Sequence, residues 1–254
     1  VHTELHFHLL PGVDDGPRDG SEAVALARLA VEDGTRRIVC TPHAREFRLA
    51  ELPDRVDRLR EALAAARLPL EVCAGGEISP RDAAGMRPEE LDLIAQGPPG
   101  ARWLLLEVPL WPGDRSFVPA TETLREQGYG LLIGHPERGP GVSTDELNEQ
   151  VRNGAILQIN ASSLAGVHGR EPERRGLGIV SSGLPFVIAS DAHSLSRPPM
   201  LREAARRLAA AGVERDVIEA AIDVGPERLL EIGLPGGTSE PGVDLGLRSP
   251  RRAA

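Results

Sequence analysis

The sequence predicts an α/β fold, a distorted seven-stranded (β/α) barrel of the TIM-like kind. Three observations predict it. Seven short aliphatic or β-branched runs alternate with stretches of helical periodicity. Most of these runs are apolar at successive positions, as strands of a parallel sheet buried on both faces are. The length, 254 residues, suits one such barrel. An open, doubly wound sheet is the competing arrangement.

The strands are expected over residues 4–9, 37–41, 70–74, 103–108, 130–134, 155–160 and 185–190. Helices are expected between them. Residues 22–33 form one that stops at Gly34, and residues 53–66 carry Val56, Leu59 and Leu63 at three-to-four spacing. Residues 119–127 open on a proline, which a first helical turn tolerates, and stop at Gly128. Ser143 followed by Glu146 is a capping box, opening a helix that Gly154 closes. Residues 201–211 are amphipathic and end at Gly212; residues 213–222 and 226–232 add two more helices. From Gly233 the chain is rich in Gly, Pro, Ser and Arg, so residues 1–232 are expected to form the domain and residues 233–254 a mobile tail. No internal repeat is visible.

Composition narrows the chemistry. The formal net charge of −9 argues against a nucleic-acid partner held through its phosphates. It does not exclude an anionic small substrate, because bound cations reverse the local field. No segment reaches the ~18–20 apolar residues of a membrane span, so no membrane insertion is expected and a cytoplasmic location is. Cys40 and Cys73 are the only cysteines, too few for a disulfide framework. All 29 basic residues are arginine. A P-loop lysine, a Schiff-base lysine and a carbamylated metal-bridging lysine are therefore excluded.

The strand ends carry the chemistry. His6 and His8 lie on the first run, with Asp14 and Asp15 shortly beyond; His43 follows the second, and Glu77 the third. Glu107 stands near the end of the fourth run, His135 after the fifth, Asn160 at the end of the sixth, and Asp191 and His193 after the seventh. In a parallel barrel these ends converge on one face. His6 and His8 are two apart on a strand, so both side chains point the same way. Imidazole and carboxylate without thiolate suit Zn, Mn, Fe or Co. The donors exceed the needs of one ion, which points to two or three ions sharing bridging carboxylates. Each residue alone has a plainer reading: a core histidine, a Glu107 paired with an arginine, an Asp14-Asp15-Gly16 turn. Ligand-type residues at six of seven strand ends are hard to obtain from packing alone. His2 is expected to be structural and His168 a loop residue. Arg138 and Arg197, beside His135 and His193, are the candidates to clamp phosphate oxygens bidentately.

The runs Glu4-Leu5-His6-Phe7-His8, Leu10-Pro11-Gly12-Val13-Asp14-Asp15-Gly16, Thr41-Pro42-His43, Gly76-Glu77-Ile78, His135-Pro136-Glu137-Arg138, Gln158-Ile159-Asn160-Ala161-Ser162 and Ala189-Ser190-Asp191-Ala192-His193 occur in this order. With them the chain resembles the PHP (polymerase and histidinol phosphatase) superfamily, over about residues 1–230. Within it, the chain looks like the metal-dependent tyrosine phosphatases of bacterial capsular and exopolysaccharide operons. The resemblance implies a distorted seven-stranded barrel and three divalent ions, often manganese, with Fe, Zn, Co or Mg as other occupants. It implies that His6, His8, Glu77 and Asp191 hold one ion, that Glu77, Glu107 and His135 hold a second, and that Asp15, His43 and His193 hold the third. Arg138 and Arg197 match the phosphate-binding arginines. Glu4 stands where the family usually has aspartate and is expected to support a neighbouring ligand. The implied partner is a phosphotyrosine protein, a bacterial tyrosine autokinase among the candidates.

The expected reaction is in-line attack of a metal-bound hydroxide on a phosphotyrosine ester, whose phenolic leaving group has a pKa of about 10. A cysteine-based tyrosine phosphatase needs arginine six residues after the nucleophile; Cys40 has Glu46 there and Cys73 has Ser79. Three other readings share these residues: a small-metabolite phosphatase such as one for histidinol phosphate, an amidohydrolase, and a non-catalytic metal-binding or regulatory module. Oligomeric state is not legible.

Overall fold

The computed structural model describes residues 2–236. Among them, eight strands run parallel in two sheets. One contains β1 (His2–Phe7), β2 (Thr35–Cys40) and β3 (Glu71–Ala74), in that order. The other contains β4 (Glu77–Ile78), β5 (Trp103–Glu107), β6 (Gly130–Gly134), β7 (Ile156–Asn160) and β8 (Phe186–Ala189), in that order. The expectation of seven strands in one TIM-like barrel is thus corrected in two respects.

The strand count rises because the chain forms a further strand, β4, just beyond the third run, after Gly75 and Gly76. The chain steps from pairing with β2 to pairing with β5 at that point. Only glycine fits: a Cβ at Gly75 would lie 2.5 Å from Val39 Cγ1, and one at Gly76 2.8 Å from Ile94 Cγ2. The single barrel becomes two sheets because both seams carry isolated bridges instead of ladders. Between β8 and β1, Asp191 N donates to His6 O at 3.0 Å and His8 N to Ala192 O at 2.9 Å. Between the end of β2 and β4, Glu77 N donates to Pro42 O at 3.0 Å and Ala44 N to Glu77 O at 2.9 Å. Pro42 offers no N–H, and Asp191 leaves the extended region with φ +50°, so neither seam propagates.

Helices cover the outer faces, among them Gly20–Glu32, Leu52–Ala65, Phe117–Glu126, Thr144–Arg152, Arg170–Ser181 and Leu201–Ala210. The Ser143–Glu146 capping box forms as the sequence predicts. Besides the one-turn helices Pro80–Ala83 and Ala161–Leu164, two longer helices were not anticipated, Pro88–Ile94 and Arg170–Ser181. The second carries Pro172, Gly176 and Gly178, which lower helix propensity; Gly176 is buried against Leu164 and Ile159.

The inward faces of the strands change character along their length. Leu5, Val39, Trp103, Leu105, Leu132, Ile156 and Val187 make an apolar inner cluster, plugged by Leu229 and Leu234. Trp103 Nε1 donates to Leu229 O at 2.8 Å. At the carboxyl ends, the next residues of the same period-two faces are polar: Glu107 after Leu105, then Gln158 and Asn160 after Ile156. In β1 a register shift between Glu4 and Phe7 switches the inward side from Leu5 to His6 and His8. Leu234 is buried and its N–H donates to Ala101 O at 2.8 Å, so residues 233–236 belong to the packed body. The rest of the expected tail, residues 237–254, lies outside the described residues.

Replacing Gly75 by Ala should strain Val39 and the step between the sheets. The expected loss is about 1–3 kcal/mol of stability, read as a lower urea midpoint with unchanged slope.

Candidate metal centre

The strand ends assemble the predicted donors on one face. Eight of the nine predicted ligands have donor atoms within 4.8 Å of one another in three overlapping groups: His8, Asp15, His43 and His193; His6, Glu77 and His135; His6, His8 and Asp191. The grouping differs from the one the family resemblance implies: His8 joins Asp15, His43 and His193, His6 joins Glu77 and His135, and Glu77 stands outside the group of His6, His8 and Asp191. Glu107 stands outside these groups but feels the charges of Glu77, His135 and His43; burial, then Glu77, lifts its carboxyl to about 7.

Hydrogen bonds fix which nitrogen faces inward. Carboxylate, amide and carbonyl oxygens only accept, so a ring nitrogen bonded to one carries the proton. His6 Nδ1 donates to Gln158 Oε1 at 2.9 Å, His8 Nδ1 to Asp14 Oδ2 at 2.7 Å, and His193 Nδ1 to Asp191 O at 2.9 Å. Each ring therefore points an Nε2 lone pair into the cluster. His6 Nε2 and His8 Nε2 are 3.3 Å apart; each is 3.3 Å from Glu77 Oε2, and Asp191 Oδ1 lies 3.3 and 3.6 Å away respectively. His193 Nε2 is 3.2 Å from Asp15 Oδ1, and the His8 and His193 rings stack with centroids 3.7 Å apart. His135 Nε2 approaches Glu77 Oε1 at 3.0 Å, while its buried Nδ1 has no partner among the described residues. Without metal, His135 Nε2 carries a proton to Glu77, whereas the Nε2 lone pairs of His6, His8 and His193 face carboxylate oxygens and repel them unless a proton or a cation sits between. The donor set thus fits divalent metal ions.

Electrostatics agree. Burial opposes ionisation of Asp191, but His6, His135 and His193 outweigh it and hold the carboxyl well below the usual range; Glu77 behaves likewise, mainly through His6 and His135. His193 and His43 hold Asp15 low. Protons compete with metal here: against the pull of burial, Asp14 and Glu77 raise His8 to about 10, and Asp15 and Glu77 raise His43 to about 9. Two ligand-type residues adopt left-handed backbone, His135 at φ +35° and Asp191 at φ +50°, strain that collects at functional sites.

Both predicted arginines reach the cluster. Arg138 Nη1 donates to Asp191 Oδ2 at 2.8 Å, and Arg197 lies 3.4 Å from both Asp191 Oδ2 and Asp15 Oδ2. Asn160 Nδ2 donates to Asp191 Oδ2 at 2.7 Å, so Asn160 does bond within the site. Sequence reasoning missed Gln158, which bonds His6 and, at 3.3 Å, the His135 N–H. A buried glutamine two residues before Asn160 on an otherwise apolar strand was the available signal. It also missed Glu137, whose Oε1 accepts from Asn160 N and Ser163 Oγ. Asp14 orients His8 and accepts from His43 N at 3.0 Å. Glu4 orients no histidine directly. It is fully buried and accepts both Ser190 N–H, at 2.7 Å, and the Ser190 hydroxyl, holding the residue before Asp191. His2 lies away from the site and pairs with Asp223, and half-buried His168 bonds Ser162 Oγ.

A parallel α/β body with clustered imidazoles and carboxylates at its strand ends, and two arginines over them, is the arrangement of a metallohydrolase that works on anionic esters. The chain belongs to the family described as capsular polysaccharide synthesis, CpsB/CapC, which it matches over residues 2–231. It is 32% identical over 210 residues to CapC of Staphylococcus aureus, covering 79% of this chain and 81% of that protein. It is 30% identical over 198 residues to the tyrosine-protein phosphatase YwqE of Bacillus subtilis, covering 76% and 77%. Its backbone superposes, with a TM-score of 0.78 at 27% identity and 94% and 97% coverage, on a crystal structure from the work on YwqE of Bacillus subtilis and CpsB of Streptococcus pneumoniae, described there as unique metal-dependent tyrosine phosphatases. A mutant organophosphorus hydrolase from Deinococcus radiodurans shares the fold alone, with a TM-score of 0.55 at 15% identity.

Burial raises the Glu4 carboxyl to about 8. A folded-state value above the ordinary 4.5 means that the folded chain keeps a proton the unfolded chain loses. Stability from this group is complete below pH 4.5 and is lost as pH rises towards about 8. Glu4→Gln, neutral and of the same shape, should remove that decline. The stability difference between variant and parent should grow by on the order of 1 kcal/mol per pH unit between pH 5 and 8 and then level off, as urea titrations at each pH would show.

Proposed function

We propose that the chain is a metal-dependent protein-tyrosine phosphatase of the PHP type. The observation that carries this is the convergence of inward Nε2 lone pairs and buried carboxylates beneath two arginines. His6, His8, Asp15, His43, Glu77, His135, Asp191 and His193 would hold the ions, with Glu107 at the margin. Three overlapping donor groups favour three ions; imidazole with carboxylate suits Zn, Mn, Fe or Co, and the family resemblance favours manganese, with Fe, Zn, Co or Mg as competitors. When bound, such ions bring the pKa of water towards neutrality and offset the charge of a phosphate ester.

The chain's own residues supply the rest. Arg138 and Arg197 exchange carboxylate partners for the non-bridging oxygens of the phosphate and hold them as charge builds there. Asn160 and Gln158 keep Asp191 and His6 oriented while this exchange occurs. A phenolic leaving group asks little of a proton donor. Neither thiol competes for the role of nucleophile. Burial pushes Cys40 to about 12, and burial followed by Glu71 raises Cys73. An amidohydrolase reading loses its usual bridging lysine, since the chain has none. The relatives named tyrosine-protein phosphatases support phosphotyrosine over a small metabolite, and a tyrosine autokinase of capsule synthesis is the partner that follows.

Purified protein should carry metal by elemental analysis and should release phosphate from a phosphotyrosine peptide, with chelator abolishing turnover and Mn²⁺ restoring it. Metal-loaded protein inactive on every phosphoester would sink the reading. His135→Ala should cost about 100-fold or more in kcat while circular dichroism stays unchanged. The Cys40→Ser, Cys73→Ser double variant should keep activity within about twofold, because surface and packing changes of this size leave distant chemistry intact.

A further inference from the structure

Six large apolar side chains are exposed among the described residues, and four of them stand on loops that leave the carboxyl ends of the strands: Leu110 and Trp111 after β5, Val167 after β7 and Leu195 after β8. They stand at the carboxyl-terminal face that holds the metal centre, to which the loop after β8 contributes Asp191 and His193. Trp111 is the largest and is 75% exposed, with no ring contact or hydrogen bond from its indole among the described residues. A side chain of this size facing water beside a polar site marks a contact surface.

The loop carrying Trp111 is fixed in place. The backbone of residues 108–111 presses on the segment that follows Arg138. A Cβ at Gly139 would lie 2.4 Å from Val108 Cγ2, and one at Gly141 2.7 Å from the Trp111 carbonyl oxygen. Arg175 Nη2 donates to Pro136 O and Gly139 O from the other side, at 3.1 and 3.0 Å. Asp114, three residues after Trp111, is tied to Arg81 at 2.8 Å. Gly141 is three residues from Arg138, at most about 10 Å of chain. The backbone of Trp111 therefore packs against a residue no more than about 10 Å of chain from Arg138, one arm of the proposed phosphate clamp.

We propose that Trp111 is a specificity-determining residue that docks the polypeptide flanking a phosphotyrosine, with Leu110 extending the contact. The proposal rests on the phosphatase reading above. The occupant is a peptide because the patch lies on the same face as a site for a side-chain phosphate, and because an exposed indole on a fixed backbone offers a wide contact with few rotatable bonds to order. An ester lacking flanking residues gains little from it, so Trp111 separates protein substrates from small phosphoesters.

The test compares the parent chain with Trp111→Ala and Trp111→Phe, both loaded with Mn²⁺, on a phosphotyrosine peptide of about ten residues and on p-nitrophenyl phosphate. Trp111→Ala should lower the preference for the peptide, as the ratio of the two kcat/KM values, by about 5- to 10-fold. The change should lie in the peptide's KM, and Trp111→Phe should restore part of it. Fluorescence gives a reading independent of turnover, since the chain's other tryptophan, Trp103, is 1% exposed. A non-hydrolysable phosphotyrosine-mimicking peptide should shield Trp111 from acrylamide quenching, and inorganic phosphate should not. An unchanged ratio, or quenching that the peptide leaves unaffected, overturns the proposal while leaving the phosphatase reading intact. A shift of Trp111→Ala from a larger species to monomer in sedimentation, with the ratio unchanged, also overturns it and assigns the indole to a contact between copies. A parent chain that hydrolyses no phosphotyrosine peptide defeats both readings together.

Discussion

The fold is organised around an electrostatic conflict. His6, His8 and His193 each commit the Nδ1 proton to a fixed acceptor, which leaves their Nε2 lone pairs aimed at Glu77, Asp191 and Asp15. Nothing in such a pocket is attractive without positive charge at its centre. A buried carboxylate with no compensation costs several kcal/mol, and Glu77 and Asp191 are both buried. Protons on His8 and His43 relieve part of the conflict, which is why those two rings hold protons so tightly. Divalent cations relieve more of it, because each brings two charges to a point shared by several donors. Metal binding and proton release are therefore coupled in this site by its construction.

Keeping that conflict in place requires support from outside the cluster. The donors sit where strands end, and the backbone there is bent into conformations that L-residues avoid, at His135 and Asp191. Such strain persists only where neighbours over-determine it. Asp191 is held by Asn160 through its side chain, by the His6 carbonyl through its N–H, and indirectly by Glu4 through Ser190. Gln158 bridges two strands by accepting from both His6 and the backbone of His135. The apolar layer below, closed by Leu229 and Leu234, gives these polar residues a floor that cannot yield to them.

Much of this was legible in the sequence because each ligand-type residue lies immediately after a short apolar run. All seven expected runs became strands, and eight of the nine expected ligands came within reach of one another. What escaped had physical reasons. Gly75-Gly76 looks like a loop, yet it is the step that carries the chain from β3 in one sheet into a further strand, β4, in the other, because only bare backbone passes Val39 and Ile94. The helix Arg170–Ser181 was hidden by a proline and two glycines, and tertiary packing of Gly176 overrides their poor propensity. Glu137 carries no signature of its own, since a hydrogen-bonding partner 23 residues away defines its role, and Gln158 shows in the sequence only as a polar residue within an apolar run. Glu4 illustrates the reverse case: its position beside the first histidine is plain, but its partner lies 186 residues further on, at Ser190.

Asp191 joins the two halves of the site. Oδ1 faces the Nε2 atoms of His6 and His8, while Oδ2 receives Arg138, Asn160 and, more distantly, Arg197. The residues suited to cations and those suited to phosphate are thus anchored to opposite oxygens of one carboxylate. In the proposed reaction a cation held by Asp191 would draw electron density from its carboxylate and weaken its hold on the guanidinium groups, which would then be free to turn to a phosphate. Lysine would serve less well here: its single ammonium lacks the planar fork that lets arginine keep one bond to Asp191 while offering another to substrate. In a chain whose basic residues are all arginine, the clamp gains that geometry with no alternative to select against.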